Sequence, residues 1–183
     1  MKTFLTWVSS KLPCRVISDS DQPYLERYYL FTVLGWRFYL HKFVGSDPDR
    51  GLHDHPWAKA YSIILSGWYW EETRSGVRKI RWLNSLTGDT FHRVVLPYLE
   101  ESPCLEESPC WTLFFHTAGD VKDWGFWRKL EDNEEFDNYI GNPSIKGAAL
   151  FTPYKYPEGF VKSEWWKKAK PRRSNKIIDH HRV

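Results

Sequence analysis

The sequence predicts an all-β protein, a barrel or a sandwich, and three observations support that prediction. Short apolar and aromatic runs recur along the chain, and Gly, Pro and Asp residues separate them at regular intervals. The 183 residues include eleven Trp, ten Tyr and eleven Phe, and aromatic side chains suit the pleated surface of a sheet. No Gly-rich phosphate loop and no alternation of strands with helices competes with this interpretation.

Eight runs have the composition of strands, and turn residues bound them. In chain order they are 24–31, 36–44, 52–57, 60–65, 68–74, 78–82, 90–96 and 111–117. Gly67 and the pair 75–76 stand where tight turns are needed. Residues 124–127 form a last aromatic strand or a corner. Further on, residues 161–168 have helical spacing, with pairs at positions i and i+4.

The length and the charge of the chain limit its class. A chain of 183 residues is long enough for one hydrophobic core and short for two, which predicts one domain with additions at its ends. The formal net charge is +3, and much of the excess comes from the basic segment 167–173. Because a short basic segment near a chain end is usually solvated, nucleic acid is not the expected partner.

We expect a cytoplasmic protein with no membrane partner. Residues 1–11 contain a charge and a few apolar side chains, but they lack the small-residue cleavage site of a signal peptide. No apolar run approaches the roughly 20 residues that a membrane-spanning helix needs. Three cysteines, an odd number, fit a reducing compartment better than a disulfide framework.

The most informative segments are the two short motifs 51–57 and 88–92, each of which begins with Gly and contains His. Side chains alternate along an extended strand, so His53 and His55 face one way and Asp54 faces the other. His92, on a neighbouring strand, supplies a third imidazole. Three imidazoles on one face predict a metal site with open positions for substrate or water.

These two motifs resemble the two motifs of the cupin superfamily, a small β-barrel that holds its metal inside the mouth. Further segments resemble a group of uncharacterised cupin-like proteins of bacteria and their phages. They are 23–28, 39–43, 46–50, 53–57, 111–115 and 124–127. The resemblance covers roughly residues 23–128. It implies a cupin-type double-stranded β-helix, or jelly-roll barrel, over residues 23–130. The N-terminal extension is then 1–22, and the C-terminal extension with the basic tail is 131–183, with short helical or irregular structure.

The sequence departs from the cupin pattern at two points. Most metal cupins place a Glu three or four residues after the second His, where this chain has Lys59 and Ala60. In the second motif, three residues rather than two separate Gly88 from His92, which predicts a local bulge. A three-histidine site without a carboxylate resembles the thiol dioxygenase branch of cupins. That resemblance implies a divalent transition metal, with Fe(II) as the first choice and Mn, Ni or Zn as alternatives.

Three residues are candidates for catalytic roles. His92 is both a ligand and the base in a reaction without metal, and His116 is the candidate for a fourth ligand or an acid/base group. Lys59 stands at the position of the missing Glu, where a cation would hold an anionic substrate. His41 and His116 each have two interpretations. Each is either a cavity residue with one of these roles or a buried structural histidine. Asp54 points away from the metal and is expected to be structural, paired with Arg50 or Arg27.

Three classes of function fit these residues. The first is a metal-dependent oxidoreductase, a non-haem iron oxygenase of the dioxygenase type that acts on a small polar molecule. The second is a metal-independent epimerase or isomerase of a nucleotide sugar. The third is a non-catalytic module that binds a small molecule. We favour the first, with a small-molecule substrate as the partner, and a homodimer is compatible with each class.

Overall fold

The computed structural model describes residues 1–19, 21–48, 51–99, 106–129, 151–154 and 164–171. Helix α1 spans Lys2–Ser9 and precedes the strands. The strands are β1 Cys14–Asp19, β2 Gln22–Val33, β3 Trp36–Phe43, β4 Gly51–His53, β5 Lys59–Ser66, β6 Tyr69–Thr73, β7 Gly76–Ile80, β8 Leu83–Thr87, β9 His92–Val95, β10 Cys110–Thr117, β11 Phe126–Lys129 and β12 Phe151–Tyr154. A 3-10 helix, Trp165–Lys167, follows.

The strands form two antiparallel sheets of six strands each. The first sheet has the order β1-β2-β3-β10-β5-β8, and the second has the order β12-β11-β4-β9-β6-β7. Sequence neighbours lie in different sheets at several points, as in a jelly roll, where the chain passes repeatedly from one layer to the other. The predicted all-β class and the jelly-roll architecture are confirmed.

The hydrophobic core lies between the inner faces of the two sheets. It joins buried residues of β2, β3 and β10 with buried residues of β6, β7 and β9: Leu25, Phe43, Tyr69, Ile80, Val94, Leu96 and Cys110. Interdigitation of two inner faces is how two packed sheets bury apolar area. Towards one end this core gives way to a cavity that both sheets line.

The predicted N-terminal extension is part of the barrel. β1 pairs with β2 in antiparallel register, with Cys14 opposite Tyr28. On the outer face of this sheet, α1 places Leu5 against Tyr28, Leu40 and Trp111. The helix has eight residues, and among the described residues no helix has the length and hydropathy needed to cross a membrane.

The chain beyond residue 130 also contributes to the barrel. β12 pairs with β11, and Trp165 of the 3-10 helix is buried against Tyr39 and Trp57. The boundary predicted between residues 130 and 131 therefore does not separate the barrel from an appendage. Of the segment 161–168 with helical spacing, the structure describes residues 164–168, which include the 3-10 helix. Most of the basic tail lies outside the described residues.

Candidate metal centre

His53 and His92 face each other across two neighbouring strands. They form a registered antiparallel pair between β4 and β9, and their ring centroids are 5.2 Å apart. The prediction of a strand over 52–57 is corrected here, because β4 ends at His53. Cross-strand pairing of His53 with His92 therefore defines the site, and His55 lies beyond the end of the strand.

Asp54 explains why the chain leaves the sheet after His53. Its backbone N–H donates to the carbonyl oxygen of Gly125 at 3.0 Å. Its buried carboxylate accepts hydrogen bonds from the backbone N–H of Gly125 and from Lys122. The structural role predicted for Asp54 is therefore found, but its ionic partner is Lys122 and not Arg27. Arg50, the other expected partner, lies outside the described residues.

Gly88, the first residue of the second motif, lies directly against the segment that holds His55. A Cβ atom at Gly88 would lie 2.6 Å from the carbonyl oxygen of Trp57, closer than real Cβ atoms come, so this approach requires glycine. The extra residue before His92 forms part of a turn, in which the N–H of Thr90 donates to the carbonyl oxygen of Thr87 at 3.1 Å. This turn replaces the bulge that the spacing predicted.

The three predicted ligands converge on one point. One ring nitrogen from each of His53, His55 and His92 lies within 4.8 Å of the other two. The Nε2 atoms of His55 and His92 are 2.9 Å apart. Two nitrogens that bind one ion at about 2.1 Å and at a right angle lie about 3 Å from each other. The donor set therefore fits a divalent transition metal.

Glu71 fixes the orientation of His92, and the sequence did not single it out. The carboxylate is fully buried, and its Oε1 atom lies 2.8 Å from Nδ1 of His92. Asn84 Nδ2 donates to the same oxygen at 2.6 Å, and Arg78 Nε donates to Oε2 at 2.6 Å. Burial raises the pKa of Glu71, but these three donors outweigh burial and lower the pKa to about 2.

An ionised Glu71 determines which nitrogen of His92 carries the proton. Because a carboxylate only accepts hydrogen bonds, Nδ1 of His92 is the donor, and in the neutral ring Nε2 then carries the lone pair. That lone pair is directed towards Nε2 of His55. A carboxylate, a histidine and a metal arranged in this order are a recurrent feature of protein metal sites.

His55 is also suited to act as a ligand. Burial, together with the neighbouring His53 and His92, holds its pKa well below 6.5, so the ring is neutral. Its Nδ1 atom is buried and has no hydrogen-bond partner among the described residues. Trp57 stacks on the ring at 3.8 Å, and Trp124 meets it edge-on at 5.1 Å. These two indoles leave one side of His55 open to the other histidines.

His116 lies in the same cavity but outside the cluster. It stacks on Trp57 at 4.6 Å, and its Nδ1 atom lies 2.7 Å from the carbonyl oxygen of Thr117. Burial lowers its pKa to about 3, so the ring is neutral. Its nitrogens are not among those that converge with His53 and His92.

The structure places Lys59 away from the cavity, which corrects its assignment to the site. Ala60 and Ser62 are buried, whereas Lys59 is exposed at the start of β5. Strand alternation therefore directs Lys59 outward. Ala60 packs in an aromatic cluster with Trp57 and Phe114, so the position that holds Glu in most metal cupins is apolar here.

The cavity that contains the histidines has a volume of about 740 Å³. Pockets of about 300–1,000 Å³ are typical of sites for small molecules. The fold and the cluster together define a jelly-roll barrel with three histidines in its cavity.

Some of the solved structures that are similar to this chain in fold are described as cupin proteins. A cupin-like protein from Thermotoga maritima has 13% identity and a TM-score of 0.44, and the match covers 60% of this chain and 80% of that one. A cupin-2 domain from Rhodospirillum rubrum has 19% identity and a TM-score of 0.39, with 60% and 65% covered. No protein-family model and no curated protein matches the sequence.

Replacing Asp54 with Ala should lower the free energy of unfolding by about 2–3 kcal/mol. The change leaves the backbone N–H of Gly125 and the ammonium of Lys122 without their buried acceptor. Urea denaturation measures the effect. The control is Asp89→Ala, because Asp89 pairs with the same lysine at 2.9 Å but is 91% exposed, and should change stability little. Equal losses in both variants would contradict an anchoring role for Asp54.

Proposed function

We propose that this protein is a metal-dependent enzyme that acts on a small polar molecule, with His53, His55 and His92 as the ligands. The observation that supports this proposal is the convergence of three ring nitrogens with Glu71 behind one of them. Fe(II) is the proposed metal, and Mn, Ni and Zn are the alternatives. The proposed reaction is an oxygenation of the dioxygenase type. The proposed location of the protein is the cytoplasm. When bound, the metal supplies redox chemistry and open coordination positions for substrate and dioxygen.

The residues around the cluster would prepare it for that chemistry. Glu71 holds the proton on Nδ1 of His92 and so keeps Nε2 available. Trp57 and Trp124 shield His55 from bulk water. Nδ1 of His116 donates to the backbone, which leaves its Nε2 atom as the proton acceptor at the cavity wall.

One observation favours a second candidate, a metal-independent isomerase or epimerase. His92 and Glu71 form a buried dyad at 2.8 Å. A carboxylate that orients an imidazole is also the arrangement of a general base. In this reaction His92 would remove a proton from a nucleotide sugar, and His55 and His53 would hydrogen-bond to the substrate.

Elemental analysis of protein purified without chelators tests the proposal. We expect a near-stoichiometric transition metal that EDTA removes and Fe(II) restores. Oxygen consumption is then measured with a panel of small thiols, keto acids and nucleotide sugars, on the loaded and the stripped protein. Turnover in the loaded protein alone supports the oxygenase, whereas isomerisation that survives EDTA selects the dyad. Metal binding with no turnover of any kind would indicate a binding module.

A further inference from the structure

Positive charge lines the cavity on the first sheet. Arg15 of β1 lies opposite Arg27 of β2, and Arg27 lies opposite His41 of β3. All three side chains line the cavity. Like charges directly opposite each other on one face destabilise a sheet. The fold nevertheless places two guanidinium groups side by side in this row.

A third arginine, Arg37, lies on the same inner face of the first sheet. It is separated from His41 by one further inward-facing residue of β3. Arg37 and His41 are four residues apart on β3, so their side chains share one face of the strand. Arg37 is opposite His116 of β10 in the register. Its guanidinium lies 4.5 Å from the ring centroid of Trp166, and its Nη2 atom donates to the carbonyl oxygen of Ala118 at 3.3 Å.

Arg27 and Arg37 have no acidic partner within ion-pair distance among the residues that the structure describes. The Nε atom of Arg27 donates to His41 at 3.0 Å, and no described residue accepts from its terminal nitrogens. The Nε atom of Arg37 is buried without a hydrogen-bond partner. Guanidinium donors therefore remain for a ligand.

Among the described residues, the acidic side chains of the cavity form no ion pair with Arg27 or Arg37. Asp47 accepts a hydrogen bond from the backbone N–H of Val94 at 2.8 Å. Three further acids line the cavity at exposed positions: Asp120, Asp123 and Glu164.

The positive charge of Arg37 lowers the affinity of Arg27 for a proton. Burial lowers the pKa of Arg27, and Arg37 contributes in the same direction. Cations are buried in proteins when they are paired with an anion or bind one. The described part of the chain supplies no such anion to Arg27 or Arg37, and a bound anionic group would compensate their charge.

We propose that the substrate carries a carboxylate or a phosphate group that binds between Arg27 and Arg37, while its reacting end faces the three histidines. The orientation of the reacting end rests on the proposed function, whereas the binding of the anion does not depend on it. Guanidinium groups bind carboxylate and phosphate through two parallel N–H···O bonds. The anionic end would fix the orientation of the substrate in the cavity. Neutral thiols and neutral sugars lack that anchor.

Calorimetric titration of the metal-free protein with inorganic phosphate, malonate and neutral malonamide tests the proposal at constant ionic strength. We expect phosphate or malonate to bind with saturation and malonamide not to bind. The anion that binds more tightly identifies the group. Arg37→Met and Arg27→Met should each weaken binding about tenfold or more. Arg37→Lys should retain part of the affinity, because it keeps the charge but not the planar pair of donors.

Arg81→Met is the matched control, because Arg81 is exposed and does not line the cavity. Its anion affinity should equal that of the wild type. Two results would overturn the proposal: no saturable binding of either anion, or equal losses in Arg81→Met and Arg37→Met. Circular dichroism verifies that each variant folds. If Arg27→Met does not fold, the anion affinities of Arg37→Met and Arg37→Lys test the proposal. Because the metal is absent, a failure of the metal proposal leaves this result interpretable.

Discussion

The variant His92→Ala should lose metal affinity by more than about a hundredfold. The estimate follows from metal-binding proteins in which loss of an outer hydrogen-bond partner alone costs roughly 10–100-fold. In the proposed site His92 would supply a ligand atom, and its other ring nitrogen is hydrogen-bonded to Glu71. His53→Ala and His55→Ala should show losses of the same order. Competition with a metallochromic chelator measures the affinity.

His116→Gln is the control for this series. His116 lines the same cavity and is equally buried, but its contacts are with Trp57, Tyr39 and the backbone of Thr117. Its replacement should therefore leave the metal affinity within a few-fold of the wild type. A loss equal to that of His92→Ala would make His116 a ligand. Undiminished metal content in His92→Ala would refute the three-histidine site.

The variant Glu71→Ala should lose about 3 kcal/mol of stability and at least about tenfold in metal affinity. Removal of the carboxylate leaves Asn84 and His92 without their acceptor in a fully buried position. The ring of His92 is then free to rotate or change tautomer, which lowers the affinity for the metal. Urea denaturation of the metal-free protein separates the first effect from the second.

The neighbouring residue provides the control for Glu71. Glu72 lies on the opposite face of β6 and pairs with Arg93 at 2.6 Å, where both side chains are partly exposed. Glu72→Ala should cost about 1 kcal/mol or less and should leave metal affinity unchanged. Equal effects of the two substitutions on metal affinity would show that Glu71 does not orient His92.

Most of the strands and the convergence of the three histidines could be predicted because the information is local. Apolar runs such as 60–65 and 111–117 have the period of a strand, and they correspond to β5 and β10. His53, His55 and His92 stand in two short motifs, so their residue types and spacing were sufficient. The exact end of β4 was not predictable, because Asp54 is held by residues about 70 positions further along the chain.

The remaining site residues depend on contacts between distant strands. Glu71 and His92 are 21 residues apart, and no local pattern distinguishes Glu71 from Glu72 except strand parity. Strand parity puts Tyr69 and Glu71 on one face and Trp70 and Glu72 on the other, but it does not show which face is inside. β8 was missed because the side chains it buries are Asn84 and Leu86, and a buried amide does not contribute to an apolar pattern.

The pairing of His53 with His92 has a consequence for how the second sheet holds together. Within the described residues, this is the one registered pair between β4 and β9, and it joins the β12-β11-β4 half of the sheet to the β9-β6-β7 half. A cation bound by both histidines would cross-link β4 and β9. These two strands are otherwise joined through this single registered residue pair. Since a ligand that binds only the folded state stabilises it by about 2.7 kcal/mol at a hundredfold excess over its dissociation constant, a metal bound at the proposed site would also stabilise the folded barrel against unfolding.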